Sequence, residues 1–405
     1  MNILMLAEVS ACRLSGGASR LLGEQACGLK KLGHRICLLV RWPDNDSAER
    51  ADYNGIPELR YAVNRKSTAA FVISSIFNAW RGFVRAAENH FQPDIVIVHQ
   101  SLAALGPMLL ARRRARKWIY NCHSLAHEEF LTRNKSPTGP WARFIYKLHA
   151  MIRCRIEGWV MRRCHFVFVE SQFMKERIVR NHGISVRNVH VALAGADLSR
   201  FKPALERIPL QARLGLPGDR AILFTVRNLV PRMGLENLIK ALKEIEKSSH
   251  KVFLVIGGKG PLREPLVQMI RDLHLEASVV LKGFIPEEDL PAWYQCADLV
   301  IMPTLELEGF GLVTAEALAC GTPVLGTPVG ATPEILGPID GRLVAKGNDA
   351  ASIAEALANL IELMHAHPDE WKRLAAKGLL AVQNKYNWEV YSRNLDAILQ
   401  TWGAV

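Results

Sequence analysis

Along most of the chain, short apolar runs alternate with longer stretches in which apolar residues recur at helical spacing. Asn2–Ala7 is the first such run, residues 18–33 (ASRLLGEQACGLKKLG) carry a helical pattern, and Arg35–Arg41 is apolar inside its charged ends. Gly33-His34 closes the helix, so the three segments predict a strand–helix–strand unit with a right-handed crossover. A helix over 67–89, a strand over 95–99 after Pro93-Asp94, a helix over 102–110 and a strand over 118–122 continue the alternation. Residues 166–170 read as another strand, and Ser171 begins a helix. Apolar strands separated by helices belong to parallel sheets covered on both faces.

The same architecture starts afresh in the second half, although no sequence repeat is visible. Strands are expected over 221–226, 252–256, 279–281 and 299–302, with helices over 234–247, 262–273 and 287–296 between them. A final helix over 388–402 has an apolar stripe of Val390, Tyr391, Leu395, Ile398 and Leu399. The expected fold class is α/β, with two doubly wound units, 1–195 and 196–380, and a closing helix in 381–405.

Composition fits this picture. A chain of 405 residues can bury two ordinary cores, and 49% hydrophobic with 22% charged residues is the balance of a globular protein. The net charge of +12 points to an anionic partner: nucleic acid, a phosphate-bearing small molecule or an anionic membrane. No zinc-finger, RNA-recognition or basic-zipper pattern occurs, so no nucleic-acid partner is expected. The eight cysteines form no CxxC and read as reduced. The first residues lack a basic signal-peptide region, and no apolar run approaches the roughly 20 residues of a membrane span. A cytoplasmic protein is expected. Residues 141–164 interleave Arg143, Lys147, Arg153, Arg155, Arg162 and Arg163 with Phe144, Ile145, Leu148, Met151, Ile152, Ile156, Trp159 and Val160. That pattern suits either a solvated helix face or peripheral contact with anionic lipid at the inner face of the cell membrane.

Candidate chemistry concentrates in residues 303–334, PTLELEGFGLVTAEALACGTPVLGTPVGATPE. Glu308 precedes Gly309-Phe310-Gly311, and a helix starting near Leu312 and stopping at Gly321 and Pro323 places Glu316 about one turn inside. Two carboxylates then bracket a helix N-terminus, where open backbone N–H groups suit phosphate and carboxylates suit hydroxyls. By themselves the two acids also fit an ordinary surface loop. Arg227 and Arg232 lie on the loop after strand 221–226, an arrangement suited to a diphosphate. Ser15-Gly16-Gly17 joins a strand to a helix but lacks GxGxxG and its distant acid, which counts against NAD or FAD. His123 stands at the carboxyl end of strand 118–122, where ligands of open α/β sheets bind. His127-Glu128 nearby suggests a metal, yet the spacing is not HExxH and no third ligand is evident, so no metal is expected.

The string from EGFG through EALACGTPV to Gly330-x-x-x-Glu334 resembles the signature of retaining, nucleotide-sugar-dependent glycosyltransferases of family 4. The resemblance spans nearly the whole chain and is strongest over 221–336. It implies the bacterial-type GT-B architecture: two Rossmann-like domains facing a central cleft, the first taking the acceptor, the second the donor, and the last helix returning to the first. It implies transfer of a sugar, of hexosyltransferase type, from a UDP- or GDP-sugar to a glycan, lipid-linked or small-molecule acceptor in cell-surface polysaccharide or glycoconjugate synthesis. No metal and no cofactor are required, because the nucleotide sugar is a co-substrate. By the same resemblance Glu308 orients donor-sugar hydroxyls, His123 faces the sugar, and Glu316 binds the ribose. Arg227 and Arg232 would take the diphosphate charge, and Gly16 and Gly17 approach it. Gly258, Phe284, Ile285, Gly309, Phe310, Gly311 and Leu312 complete the donor site. Two departures stand out: Met233 replaces the usual Lys before Gly234, and Ala194-Gly195-Ala196-Asp197 lacks the usual Asn. A catalytically silent nucleotide-sugar-binding scaffold or sensor, or a sugar-nucleotide epimerase, remains the alternative.

Overall fold

The computed structural model describes residues 1–13, 16–43, 48–88, 91–134, 137–246 and 251–403. Ser15 of the Gly-Gly loop and the last residues of the expected helices 67–89 and 234–247 lie outside them. The chain divides into two compact units, Met1–Leu193 with Trp388–Val405, and Ala194–Asn387.

In the first unit the strands are β1 (Asn2–Ala7), β2 (Arg35–Arg41), β3 (Arg50–Asp52), β4 (Pro57–Tyr61), β5 (Ile95–Val98), β6 (Lys117–Cys122), β7 (Phe166–Val169) and β8 (Val189–Val191). Among the described residues they form one sheet in the order β3-β4-β2-β1-β5-β6-β7-β8, parallel except for β3 against β4. Helices α1 (Gly17–Lys31), α2 (Thr68–Glu88), α3 (Ser101–Leu110), α4 (Ala126–Arg133), α5 (Pro140–Met161) and α6 (Gln172–His182) cover it. The inner strands are buried throughout, which is why their sequences are continuous apolar runs rather than alternating ones. Local signals set the helix ends. Ser171 Oγ caps α6 by accepting from Met174 N, and Gly183, at φ 62°, closes it in the left-handed region.

The second unit holds α7 (Arg207–Leu214), β9 (Ala221–Val226), α8 (Leu235–Glu246), β10 (Val252–Gly257), α9 (Arg263–Asp272), β11 (Val279–Gly283), α10 (Leu290–Cys296) and β12 (Leu299–Met302). Then come α11 (Leu312–Ala319), β13 (Val324–Gly326), α12 (Thr332–Leu336), α13 (Ala350–Ala366) and α14 (Pro368–Asn384). The sheet order is β11-β10-β9-β12-β13, all parallel. The helix expected over 287–296 begins only at Leu290, because Pro291 has no N–H to give and settles in the first turn.

The last helix, α15 (Trp388–Gly403), belongs to the first unit. It lies along α1: Tyr391 Oη accepts from Gln25 Nε2 at 2.9 Å, and His34 Nε2 and Asp396 Oδ1 are 2.8 Å apart. Gly28 has no side chain because Ser392 occupies the space, with Oγ only 1.8 Å from where a Cβ would stand.

Candidate active site

In the second unit the chain builds β9, β10 and β11 outward, then returns to lay β12 on the opposite side of β9. The crevice outside the carboxyl ends of β9 and β12 is therefore the topological switch point, where open parallel sheets bind ligands. Arg227 follows β9 directly, and Glu308 lies on the loop after β12. The structure joins them. Arg227 Nη2 donates to Glu308 Oε2 and, at 3.1 Å, to Thr304 Oγ1, while Thr304 Oγ1 donates to Glu308 Oε2 at 3.1 Å. Arg227 is 9% exposed and Glu308 8%, so each offsets a charge that would be costly to bury alone. Met233 Sδ, 2.9 Å from Nη2, and Met302 Sδ, 3.5 Å from Nη1, close the guanidinium in soft sulfur. Met233 is buried, so the position of the family's Lys is apolar here. The sequence pattern had treated Arg227 and Glu308 as separate groups; in the fold they are one. Among the described residues Glu308 Oε1 accepts no hydrogen bond, because both donors above go to Oε2.

The loop carrying Glu308 is fixed through its backbone. Arg232 Nη1 donates to Leu307 O at 3.0 Å, and Ala331 N donates to Glu308 O at 2.9 Å. A Cβ at Gly330, where φ is 64°, would stand 2.1 Å from Glu308 O, and one at Gly258 1.8 Å from Arg227 O. Both glycines permit backbone approaches that no side chain allows. Gly309, Phe310 and Gly311 lead into α11, which starts at Leu312 with Gly311 before it at φ 84°. Phe310 is buried, its ring 5.9 Å from that of Tyr386, and anchors the loop. Glu316 sits one turn inside α11, 2% exposed, with Oε2 accepting from Tyr294 Oη of α10 at 2.9 Å. Ile285 is buried, whereas Phe284 is exposed with Lys259 Nζ 4.8 Å from its ring centre.

In the first unit, His123 stands directly after β6. Its Nδ1 lies 3.1 Å from Glu170 Oε1, and its Nε2 lies 2.8 Å from His99 Nδ1. A carboxylate only accepts, so the proton sits on His123 Nδ1, and His99 Nδ1–H donates to His123 Nε2. Asn121 Nδ2 supports Glu170 Oε1 at 3.3 Å. Burial, with the nearby His123 adding to it, pushes the His99 pKa well below its ordinary value of 6.5. The imidazole of His123 is thus held at both nitrogens, which fixes its orientation. Sequence reasoning missed His99 and Glu170, though they follow β5 and β7 as His123 follows β6. It also missed buried Glu58 of β4. Its carboxylate accepts from Ser10 Oγ at 2.7 Å and Ala11 N at 3.0 Å, fixing the chain just after β1.

Two family models match the chain in succession: Glycosyltransferase Family 4 over residues 15–200 and Glycosyl transferases group 1 over residues 206–378. Among solved structures, sucrose-phosphate synthase from Thermosynechococcus elongatus superposes with a TM-score of 0.83 at 20% identity, covering 100% of both chains. Anabaena HepE in complex with UDP-glucose gives 0.75 at 18%, covering 98% of this chain and 99% of that one. The fold is that of the GT-B glycosyltransferases. The chain belongs to glycosyltransferase family 4. Its curated relatives include a GDP-mannose-dependent alpha-(1-6)-phosphatidylinositol monomannoside mannosyltransferase of Mycolicibacterium smegmatis, 33% identical over 56% of this chain and 60% of the relative. They also include D-inositol 3-phosphate glycosyltransferase 2 of Catenulispora acidiphila, 33% identical over 54% of each. The chain thus spans only 54% to 60% of the length of these relatives.

The buried pair makes a double-mutant cycle informative. Glu308→Leu alone is expected to cost about 3–5 kcal/mol, and adding Arg227→Met to recover most of it, in urea midpoints. Additive losses would show that the two charges do not depend on one another. The buried His99 generates a pH dependence. Unfolded, it takes up a proton near pH 6.5 that the folded chain refuses, so stability is expected to fall as pH drops below about 6.5. His127, His165 and His190, also shifted down by burial, share that slope. His99→Gln should flatten it measurably; an identical slope would mean that His99 does not contribute.

Proposed function

We propose that this protein is a retaining glycosyltransferase that moves a sugar from a nucleoside-diphosphate donor to a glycan or lipid-linked acceptor, in cell-surface polysaccharide or glycoconjugate synthesis. The observation that carries this reading is the Arg227–Glu308 pair at the switch point of the second unit, with Glu308 Oε1 left to accept. That oxygen suits a hydroxyl of the donor sugar, and Glu308 holds the sugar in orientation for attack. Arg227, clamped by Glu308 and Thr304, and Arg232 on the neighbouring turn supply positive charge for the diphosphate as the glycosidic bond loosens. Glu316, steadied by Tyr294, binds the ribose. His123, held at both nitrogens, lines the sugar. In front-face attack with retention the departing phosphate oxygen takes the acceptor's proton, so no dedicated carboxylate base is needed. The similar proteins support the donor class: one is named as GDP-mannose-dependent, and another is solved with UDP-glucose.

A panel of UDP-, GDP- and ADP-sugars tests the reading through release of nucleoside diphosphate. A transferase releases it, a silent binding protein does not, and an epimerase converts the donor with no acceptor present. With the preferred donor, Glu308→Gln should lower kcat about 100-fold with little change in KM. Glu316→Gln should instead weaken donor binding about 10-fold or more. Unchanged kinetics in both variants would overturn the residue assignment.

The acceptor side has its own support. Trp141, Phe144, Ile145, Met151 and Ile152 of α5 are exposed, between the exposed cations Arg143, Lys147 and Arg155. No helix among the described residues is long and apolar enough to cross a membrane. Apolar residues set among cations on one helix suit the interface of an anionic bilayer. Vesicles containing phosphatidylglycerol should co-sediment the protein and phosphatidylcholine vesicles should not, with Trp141→Ser/Phe144→Ser reducing capture. Equal recovery with both lipids would remove the membrane from the proposal.

A further inference from the structure

Three helices of the first unit bring a nitrogen–sulfur cluster together, apart from the residues assigned above. One ring nitrogen each of His127 on α4 and His182 on α6, and Sγ of Cys154 on α5, all lie within 4.8 Å of one another. His182 is 6% exposed, and its Nε2 has no hydrogen-bond partner; neither has the buried Nδ1 of His127. Buried ring nitrogens normally find hydrogen-bond partners, so two rings with an unpartnered nitrogen beside one thiol require an explanation. The rings meet edge to face, 5.9 Å between centres, a contact that satisfies neither unpartnered nitrogen. Glu157, one turn along α5 from Cys154, puts Oε2 3.6 Å from His182 Nε2, while accepting from Ala126 N at 3.0 Å.

We propose that His127, Cys154 and His182 form a zinc-binding site. Two imidazoles and one thiolate are a donor set of borderline softness that favours Zn²⁺, with water in the fourth position. Tetrahedral zinc would draw these atoms to about 3.5 Å of one another, an adjustment on the scale of side-chain rotation. On binding, the Cys154 thiol forms its S–Zn bond and releases its proton to solvent. The thiolate reduces the two positive charges of Zn²⁺ to a net charge of one, which faces the Glu157 carboxylate. The sequence hid the site, because its ligands come from three helices with no local spacing in common.

The site would act as a pin. Helix α4 starts three residues after His123, and α6 starts two after Glu170. Fastening His127 near the start of α4 to His182 at the end of α6, through α5, steadies the helices that lead away from those two residues. The proposal does not depend on the glycosyltransferase reading.

The test uses the full chain, dialysed against chelator and then supplied with Zn²⁺ or Co²⁺ alone. The expected results are about one tightly held zinc per chain, a higher Tm with zinc, and a thiolate-to-cobalt charge-transfer band. Cys154→Ser and His127→Gln should lose the band and most of the bound zinc while keeping the wild-type far-ultraviolet circular dichroism. Should either variant fold poorly, the wild-type protein still decides: zinc should protect the Cys154 peptide from alkylation, read by mass spectrometry. Folded wild-type protein that retains no zinc, equal zinc in wild type and well-folded variants, or alkylation of Cys154 unaffected by zinc would overturn the site.

Discussion

Parallel strands buried on both faces leave polar chemistry only one place to go, the ends of the strands. The carboxyl ends are where this chain spends it. Arg227 follows β9, and Glu308 reaches back to it from the loop after β12. His99, His123 and Glu170 follow β5, β6 and β7 in turn, and the hydrogen-bonded sheet sets them side by side. Each of these groups would be costly to bury alone, and the register of neighbouring strands supplies its partner. The apolar interiors of the sheets and the polar groupings at their rims are two results of one constraint.

That constraint also explains what the sequence reveals. The apolar runs Asn2–Ala7, Arg35–Arg41, Ala221–Val226 and Leu299–Met302 coincide with observed strands, because burial on both faces writes a continuous signal. Arg50–Asp52, the edge strand, and Pro57–Tyr61 beside it went unread, since their partly exposed residues mix polar with apolar. At the candidate site, residue type and position relative to a strand end pointed to His123, Arg227 and Glu308 separately. Their partnerships were invisible: Arg227 and Glu308 are 81 residues apart, and His99 and His123 are joined only through the pairing of β5 with β6. Glu58 was hidden because β4, which carries it, escaped notice. Periodicity shows where a side chain sits along an element, whereas partnership depends on how elements are ordered in the sheet.

The Met233 substitution illustrates how such a site accommodates change. Where relatives of this type commonly carry a cation, a buried thioether packs on the Arg227 guanidinium. A sulfur in that place adds no second positive charge beside Arg227, so Glu308 is left with a single cation to balance. Positive charge near the turn comes instead from Arg232, one residue earlier, whose backbone and side chain both hold the loop of residues 305–308.

The assignment of α15 to the first unit bears on how the molecule is made. Gln25, Gly28 and His34 meet their partners Tyr391, Ser392 and Asp396 only once residues beyond Trp388 exist. Emerging from a ribosome, residues 194–387 are a continuous segment able to finish their core first. The earlier segment must wait with one flank of α1 uncovered. The unit begun first is therefore closed by residues synthesised after the whole of the second.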